Sequence, residues 1–117
     1  MVVAIIKPNM YFKTREALNK EGFSSMSTKE VLGRGRQNVH TELNINTGSE
    51  DKELYDNEMY AKKMLEIYVR DEEVDLLIKT IVSINRTNNA GDGKIFICPV
   101  DKALRIRTNE KDDEALM

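Results

Sequence analysis

The stretch Val2-Val3-Ala4-Ile5-Ile6-Lys7-Pro8 opens the chain with five apolar residues, four of them β-branched, before a lysine and a proline. A short β-branched run that stops at proline is typical of a buried strand and is too short for a stable helix. We therefore predict a first strand over Val2–Ile6. The elements that follow are those that would pack against it.

A helix and a second strand come next along the chain. Residues 10–21 mix good helix formers with apolar side chains, and Gly22 follows where a helix C-terminus favours glycine. Residues 26–32 form a shorter, more polar run that ends at Gly33, and this pattern favours a strand. The order so far is strand, helix, strand.

The second half of the chain repeats this alternation. Leu65, Ile67 and Val69 alternate with more polar residues, as in a strand with one buried face. Asp71 is placed to cap a following helix. Apolar residues three and four apart then form a helical stripe at Val74, Leu77, Ile78, Ile81 and Val82. Residues Ile95–Cys98 supply a fourth strand.

The predicted order βαββαβ indicates an α+β, ferredoxin-like fold, an antiparallel sheet with two helices on one face. We expect one domain over residues 1–117. This layout supports metal binding, RNA binding and acyl-phosphate hydrolysis alike, so function has to come from the site.

A long loop joins the second and third strands. Residues 33–62, about 30 in number, have no sustained period and are rich in Asn, Thr, Gly, Ser, Asp and Glu. Structureless loops beyond about 15 residues are uncommon in compact domains and are usually functional or disordered. We expect a functional loop at about 35–62.

Composition excludes several classes of protein. The net charge of -2 leaves no broad basic field for non-specific nucleic-acid binding. The apolar runs are far shorter than the roughly 20 residues of a membrane span. No small-residue cleavage site follows the N-terminal run, and the single Cys98 cannot form an internal disulfide. A reducing cytoplasm is the expected location.

Two short motifs suggest a phosphate site. The glycines of Gly91-Asp92-Gly93-Lys94 would let backbone N–H groups approach phosphate oxygens, although Gly-Asp-Gly is also an ordinary turn. In Arg105-Ile106-Arg107 both guanidinium groups would face the same side of an extended segment and clamp a polyphosphate, unless this is only a solvated basic tail. Together the two motifs favour the phosphate site.

The start of the loop is basic, and no catalytic group is evident. Gly33-Arg34-Gly35-Arg36-Gln37 is either a hinge or a flexible basic segment, and Arg-Gly segments also bind single-stranded nucleic acid. No aromatic residues interleave with it to support the last option. His40 is the single histidine, so a zinc site needing several His or Cys ligands is not expected. We find no candidate nucleophile.

These motifs occur together in the order and spacing of one family, and the chain resembles the PII nitrogen-signalling proteins. The stretches that carry the resemblance are Ala4–Pro8, Arg15–Leu18, Gly35–Gln37, His40–Leu43, Gly91–Phe96 and Arg105–Thr108. The resemblance implies a regulatory binding protein, not an enzyme. It also implies a homotrimer, or a hetero-oligomer with a PII paralogue, that holds ATP or ADP in clefts between subunits. The long loop would contact target proteins.

The resemblance assigns roles to residues at matching positions. Base and ribose would contact Ser27, Glu66 and Tyr68. The phosphates would contact Gly91, Asp92, Gly93, Lys94, Arg105 and Arg107, with Gly35, Arg36 and Gln37 completing the site. Gln37 would also hold Mg²⁺ through ATP. The effector 2-oxoglutarate would contact Gln37, Lys62 and Gly91.

Three departures from the family pattern affect these expectations. Arg34 stands where many members have an aromatic residue, Val39 replaces a usual glycine near the 2-oxoglutarate site, and the loop is several residues longer. Tyr55 and Tyr60 lie in the unalignable insertion, so no counterpart of the tyrosine modified in some bacterial members is clear.

The divergent loop, with Ile6–Asn9 and Ile84–Thr87, looks most like the nitrogenase-linked branch of the family. The implied target is then nitrogenase, and the alternative within the family is an ammonium transporter. Two alternatives from other classes share the fold: an acylphosphatase-like enzyme and an RNA-binding module.

Overall fold

The computed structural model describes residues 1–34 and 59–116. Its strands and α-helices are β1 (Val2–Ile6), α1 (Tyr11–Lys20), β2 (Ser27–Gly33), β3 (Tyr60–Ile67), α2 (Val74–Asn85) and β4 (Gly93–Ile97). Single 3-10 turns cover Pro8–Met10, Asp71–Glu73 and Asp112–Leu116. The described part of the chain therefore has the predicted order βαββαβ.

The four strands form one antiparallel sheet in the order β2-β3-β1-β4. The first strand lies in its interior: Val2 is opposite Ile67 of β3 and Ile97 of β4. At the other end of the strand, Ile6 is opposite Lys63 and Gly93. This topology confirms the ferredoxin-like fold.

Both helices pack against the same face of the sheet. Alternate residues of β1 and β3 point to that face, as a period of two requires. The core that they form with the helices includes Phe23, which is 8% exposed, and eight side chains that are each at most 2% exposed: Val2, Ala4, Ile6, Leu18, Leu65, Ile67, Leu77 and Ile81. Removing each of the larger side chains from water stabilises the fold by about 1.5–3 kcal/mol.

A buried polar contact joins the two helices. The Asn85 side-chain amide donates to Thr14 Oγ1 at 3.0 Å and to the Ile81 carbonyl at 2.8 Å, while the Thr14 hydroxyl donates to the Met10 carbonyl at 2.7 Å. Asn85 Oδ1 is buried and accepts no hydrogen bond from the described residues. The contact holds the C-terminal end of α2, and with it the start of the following turn, against α1.

The structure corrects the predicted edges of the long loop. Gly33 belongs to β2, and β3 begins at Tyr60, so the loop does not extend to residue 62. The polar start of β3 lacks alternation but pairs with β2, where Gly33 is opposite Tyr60 and Val31 is opposite Lys62. Residues 35–58 lie outside the described part of the chain.

Three other local predictions were wrong. Val69 lies beyond β3, which ends at Ile67. Asp71 does not cap α2, because it begins the 3-10 turn that precedes the helix and Glu73 occupies the N-cap position. The Glu73 carboxylate accepts the Arg70 backbone N–H at 3.1 Å and the Arg70 guanidinium at 3.0 Å. The fourth strand begins two residues earlier than predicted and ends at Ile97, because its first residues pair with β1.

No helix in residues 1–34 and 59–116 has the length and apolar content needed to cross a bilayer.

We expect Leu65→Ala to lower the free energy of unfolding by about 2–5 kcal/mol, because Leu65 is fully buried in a central strand and its truncation leaves a cavity. Leu32→Ala is the matched control, since Leu32 is 68% exposed on the neighbouring strand and its truncation is expected to cost well under about 1 kcal/mol. Urea unfolding at one protein concentration measures the free energy of unfolding of both variants and of the wild type. Equal losses in the two variants would contradict the described core.

Candidate functional site

Four of the predicted site residues meet at one end of the sheet. Ser27, Glu66, Tyr68 and Arg105 line a groove of about 800 Å³. Its other lining residues come from the approach to β2 and from the C-terminal segment: Ser24, Ser25, Met26, Val100, Lys102, Ala103, Leu104, Ala115 and Leu116. We call this space the base groove. It brings together the three residues that the family resemblance assigned to base and ribose.

The floor of the base groove is set by strand pairing. Ser27 is directly opposite Glu66 across β2 and β3. Lys29 Nζ lies 3.1 Å from Glu66 Oε1, which leaves the other carboxylate oxygen as a further acceptor. Tyr68 follows β3 and is 48% exposed, so about half of the residue's surface is accessible. The groove thus offers hydroxyl, carboxylate and aromatic groups together.

Arg105 lies in the base groove and Arg107 does not. Arg105 Nη1 is 2.8 Å from Glu110 Oε2, and its Nη2 donates to the Glu114 carbonyl at 3.3 Å. The prediction of an extended segment here was wrong, because residues 106–108 form a turn closed by the Asn109 N–H, which donates to the Arg105 carbonyl at 2.8 Å. The two guanidinium groups therefore do not share the face of a strand.

The glycine turn lies at the opposite end of the sheet. Gly91 and Gly93 have φ of 97° and 121°, and a Cβ on Gly93 would stand 2.0 Å from the Ile5 carbonyl oxygen. Both glycines are therefore needed by the turn itself. Asp92 accepts hydrogen bonds from the backbone N–H and the hydroxyl of Thr87, and Lys7 Nζ lies 3.5 Å from Asp92 Oδ1.

Hydrogen bonding lowers the pKa of the Asp92 carboxyl. The hydroxyl and backbone N–H of Thr87, then Lys7, lower the pKa of Asp92 from 3.8 to about 2, because each stabilises the charged carboxylate. Asp92 is therefore ionised at neutral pH and draws Lys7 toward the turn. Its carboxylate points at Thr87 and Lys7, and it serves to shape the turn.

A second lysine reaches the same turn from β3. Lys62 Nζ donates to the Gly91 carbonyl at 3.0 Å. Burial lowers the pKa of Lys62 and the positive charge of Lys7 lowers it further, while Asp92 acts in the opposite direction. We call Lys7 and Lys62 the lysine pair. An anion placed between the pair and the turn would relieve their repulsion.

Lys7 is the site residue that sequence reasoning missed. It lies in the quoted stretch Ala4–Pro8, but neither its spacing nor its type distinguished it from an ordinary surface lysine. The structure places it beside Asp92 because β1 ends next to the start of β4. Gly35, Arg36 and Gln37, the other predicted members of the site, lie outside the described residues.

Within one chain the base groove and the glycine turn are separate. Glu66 and Phe96 are both opposite Val3, at one end of β1, whereas Gly93 is opposite Ile6 at the other end. No residue lines the base groove and also belongs to the turn at residues 91–94. Apart from Arg107, the structure therefore gathers the described residues among the predicted nucleotide contacts into two groups.

The chain matches the family described as "Nitrogen regulatory protein P-II" over residues 1–110. It belongs to the PII family. It is 44% identical over 118 residues to "Nitrogen fixation nifHD region GlnB-like protein 2" of Methanothermobacter marburgensis, with 98% of each chain covered. Against the protein of the same name from Methanobacterium ivanovii it is 38% identical over 120 residues, covering 99% of this chain and 98% of the other.

A relative whose name does not mention nitrogen fixation is about as similar to this PII protein as the two nitrogen-fixation relatives are. "Nitrogen regulatory protein P-II" of Synechocystis is 44% identical over 115 residues, with 98% of this chain and 97% of the relative covered. The family and both kinds of relative carry names of nitrogen regulation or nitrogen fixation. They support a regulatory PII protein and bear out the predicted likeness to the nitrogen-fixation branch.

We expect Thr87→Val to raise the pKa of Asp92 toward 3.8, because the variant removes the hydroxyl donor. In the wild type, the stability contributed by Asp92 is complete above its ordinary pKa and is lost as pH falls from about 4 to about 2. In the variant that loss should begin at the same pH, because the pKa of Asp92 in the unfolded chain is unchanged, but it should be smaller and complete at a higher pH. Carboxyl ¹³C shifts of Asp92, followed through a pH titration, measure both pKa values. Identical titrations would contradict the described hydrogen bonds.

Proposed function

We propose that this PII protein is a cytoplasmic sensor, without catalytic activity, that binds ATP or ADP and that binds 2-oxoglutarate when Mg-ATP is present. In this proposal the loop between β2 and β3 docks on a target protein and the ligands control the docking. The observation that carries the proposal is the presence of two complementary half-sites, the base groove and the glycine turn with its lysine pair, in a chain of the PII family.

The base groove suits a nucleoside. Its volume of about 800 Å³ lies in the usual range for small-molecule sites. The ring of Tyr68 offers an apolar surface for a base, and Ser27 and Glu66 offer hydrogen-bonding groups for base and ribose. Arg105 supplies a cation for a phosphate at the same groove. These groups fit a nucleotide better than a purely apolar ligand.

The separation of the half-sites supports a site shared between copies of the chain. Glu66 and Gly93 of the same chain lie at opposite ends of the sheet, and two adjoining copies could each supply one half of a single nucleotide site. The sheet face away from the helices carries Val3, Ile5, Met64 and Phe96, and Phe96 is 49% exposed in the single chain. Covering this face is a further reason for association, and the family implies a trimer.

The lysine pair suits a small dicarboxylate. Lys62 is partly buried and has a lowered pKa, so an added carboxylate would gain more there than at an open surface. The proposed effector is 2-oxoglutarate, held by Lys62 and the Gly91 backbone, with Lys7 as an additional cation. Gln37 is proposed to hold Mg²⁺, which would neutralise phosphate charge and complete the effector site.

The position of Lys62 connects the effector to the loop. Lys62 is the third residue of β3, and Tyr60 begins that strand where the segment 35–58 ends. A ligand on Lys62 therefore acts close to the base of the loop. If the ligands bind one loop conformation more tightly than others, they shift the population toward it and change target affinity by the same free energy.

Calorimetric titration tests the sensor function. We expect Mg-ATP to bind, and 2-oxoglutarate to bind only when Mg-ATP is present. Lys62→Met should weaken 2-oxoglutarate binding by about tenfold or more, because it removes a desolvated cation. Lys79→Met, on the exposed surface of α2, removes the same charge as a control. Equal 2-oxoglutarate affinity with and without Mg-ATP would contradict the proposal, as would absence of ATP binding.

Mixing two defective variants tests the shared site. Arg105→Ala damages the base groove and Lys94→Ala damages the turn, so each variant alone should bind ATP weakly. If every site takes its groove from one copy and its turn from another, equal mixing of subunits restores about a quarter of the sites. ATP binding at wild-type affinity, counted by titration after unfolding and refolding the mixture, measures that fraction. No restored sites in confirmed mixed oligomers would place the whole site within one chain.

The names of the relatives favour nitrogenase as the target. Both "nifHD region" proteins are named for nitrogen fixation. Pull-down of purified nitrogenase components by this PII protein, and their release by Mg-ATP with 2-oxoglutarate, is the expected result. Capture of an ammonium transporter in place of nitrogenase would support the alternative target.

A further inference from the structure

The C-terminal segment closes on itself and forms one wall of the base groove. The Arg105 N–H donates to the Glu110 carbonyl at 2.8 Å, and the Asp112 N–H donates to the Ala103 carbonyl at 2.9 Å. We call residues 103–116 the C-terminal hairpin. Its last turn places Ala115 and Leu116 in the groove lining. Its conformation therefore determines the shape of the groove.

Leu116 also separates the base groove from a second space. It lines a smaller cavity of about 260 Å³, together with residues 22–25, residues 67–70 and Glu73. Displacement of the last turn would change both spaces at once. The shape of both spaces therefore depends on the contacts that hold the C-terminal hairpin in place.

The side chain of Arg105 is one of those contacts. Its guanidinium pairs with the Glu110 carboxylate at 2.8 Å and donates to the Glu114 carbonyl at 3.3 Å. The Arg105 and Glu110 side chains are 27% and 38% exposed, so their ion pair is partly shielded from water. A phosphate would use the same planar donors, because carboxylate and phosphate oxygens accept from a guanidinium in the same way.

We propose that Glu110 is an internal competitor for nucleotide phosphate at Arg105. This inference rests on the proposed nucleotide site and adds its regulation. Without nucleotide, the Glu110 carboxylate occupies Arg105 and holds the hairpin against the groove. A phosphate that engages Arg105 displaces Glu110 and loosens the hairpin. By linkage, loosening the hairpin raises affinity for phosphorylated ligands by the same factor.

Glu110→Gln is the test variant and Glu114→Gln is its matched control. Each removes one negative charge from the hairpin, but Glu114 contacts Arg105 through its backbone carbonyl, which the substitution leaves in place. We expect Glu110→Gln to bind ATP about two- to fivefold more tightly than the wild type, the range for a partly exposed ion pair. Adenosine, which lacks phosphate, should bind both variants and the wild type equally. Calorimetry measures the affinity of each of the three proteins for ATP and for adenosine.

Hydrogen exchange gives an independent readout. In the wild type, ATP should speed amide exchange in residues 111–116 relative to adenosine at equal saturation, because only ATP displaces Glu110. Unchanged ATP affinity in Glu110→Gln would overturn the competition while leaving the nucleotide site intact. An equal gain in affinity for ATP and for adenosine in Glu110→Gln would also overturn the competition, since that gain would come from a change in the groove wall and not from the phosphate. Absence of ATP binding to the wild type and to both variants would overturn the nucleotide site itself, and the competition with it.

Discussion

The pairing of β1 with β3 on one side and β4 on the other is the constraint on which the rest of this structure depends. Because side chains alternate along a strand, the pairing directs Val2, Ala4 and Ile6 into the core and leaves Val3 and Ile5 on the opposite face. The same register brings Gly93 so close to the Ile5 carbonyl that no side chain fits there. Burial of the core and the shape of the glycine turn thus follow from one set of backbone hydrogen bonds.

The register also determines which charges can act together. Lys7 follows the end of β1, Lys62 lies near the start of β3 and Asp92 precedes β4, so all three meet at one end of the sheet. Ser27 and Glu66 meet at the other end and form the groove with Arg105. The fold therefore makes two candidate half-sites of different character, one rich in lysine and the other an open groove of mixed polarity. In the proposed function a complete nucleotide site uses both.

The sequence predicted the strands and helices that depend on a local pattern of residues. The β-branched run Val2–Ile6 and the apolar stripe of α2 have strong periods, and both elements were confirmed. The start of β3 at Tyr60 was missed, because its polar residues are held in the strand by pairing with β2 and carry no alternation of their own. The resemblance to PII proteins found residues of both half-sites but not Lys7, whose importance comes from its distance to Asp92. Nor did it find the turn after Arg105, which depends on contacts with Asn109 and Glu110.

The central claim is that each nucleotide is held by two copies of the chain, and a crystal structure with Mg-ATP tests it most directly. The account predicts a base against Tyr68 and Glu66 of one copy and phosphates at Gly93 and Lys94 of its neighbour. Arg105 of the first copy should then contact phosphate in place of Glu110. A nucleotide bound entirely within one chain, or bound away from the base groove, would contradict the account.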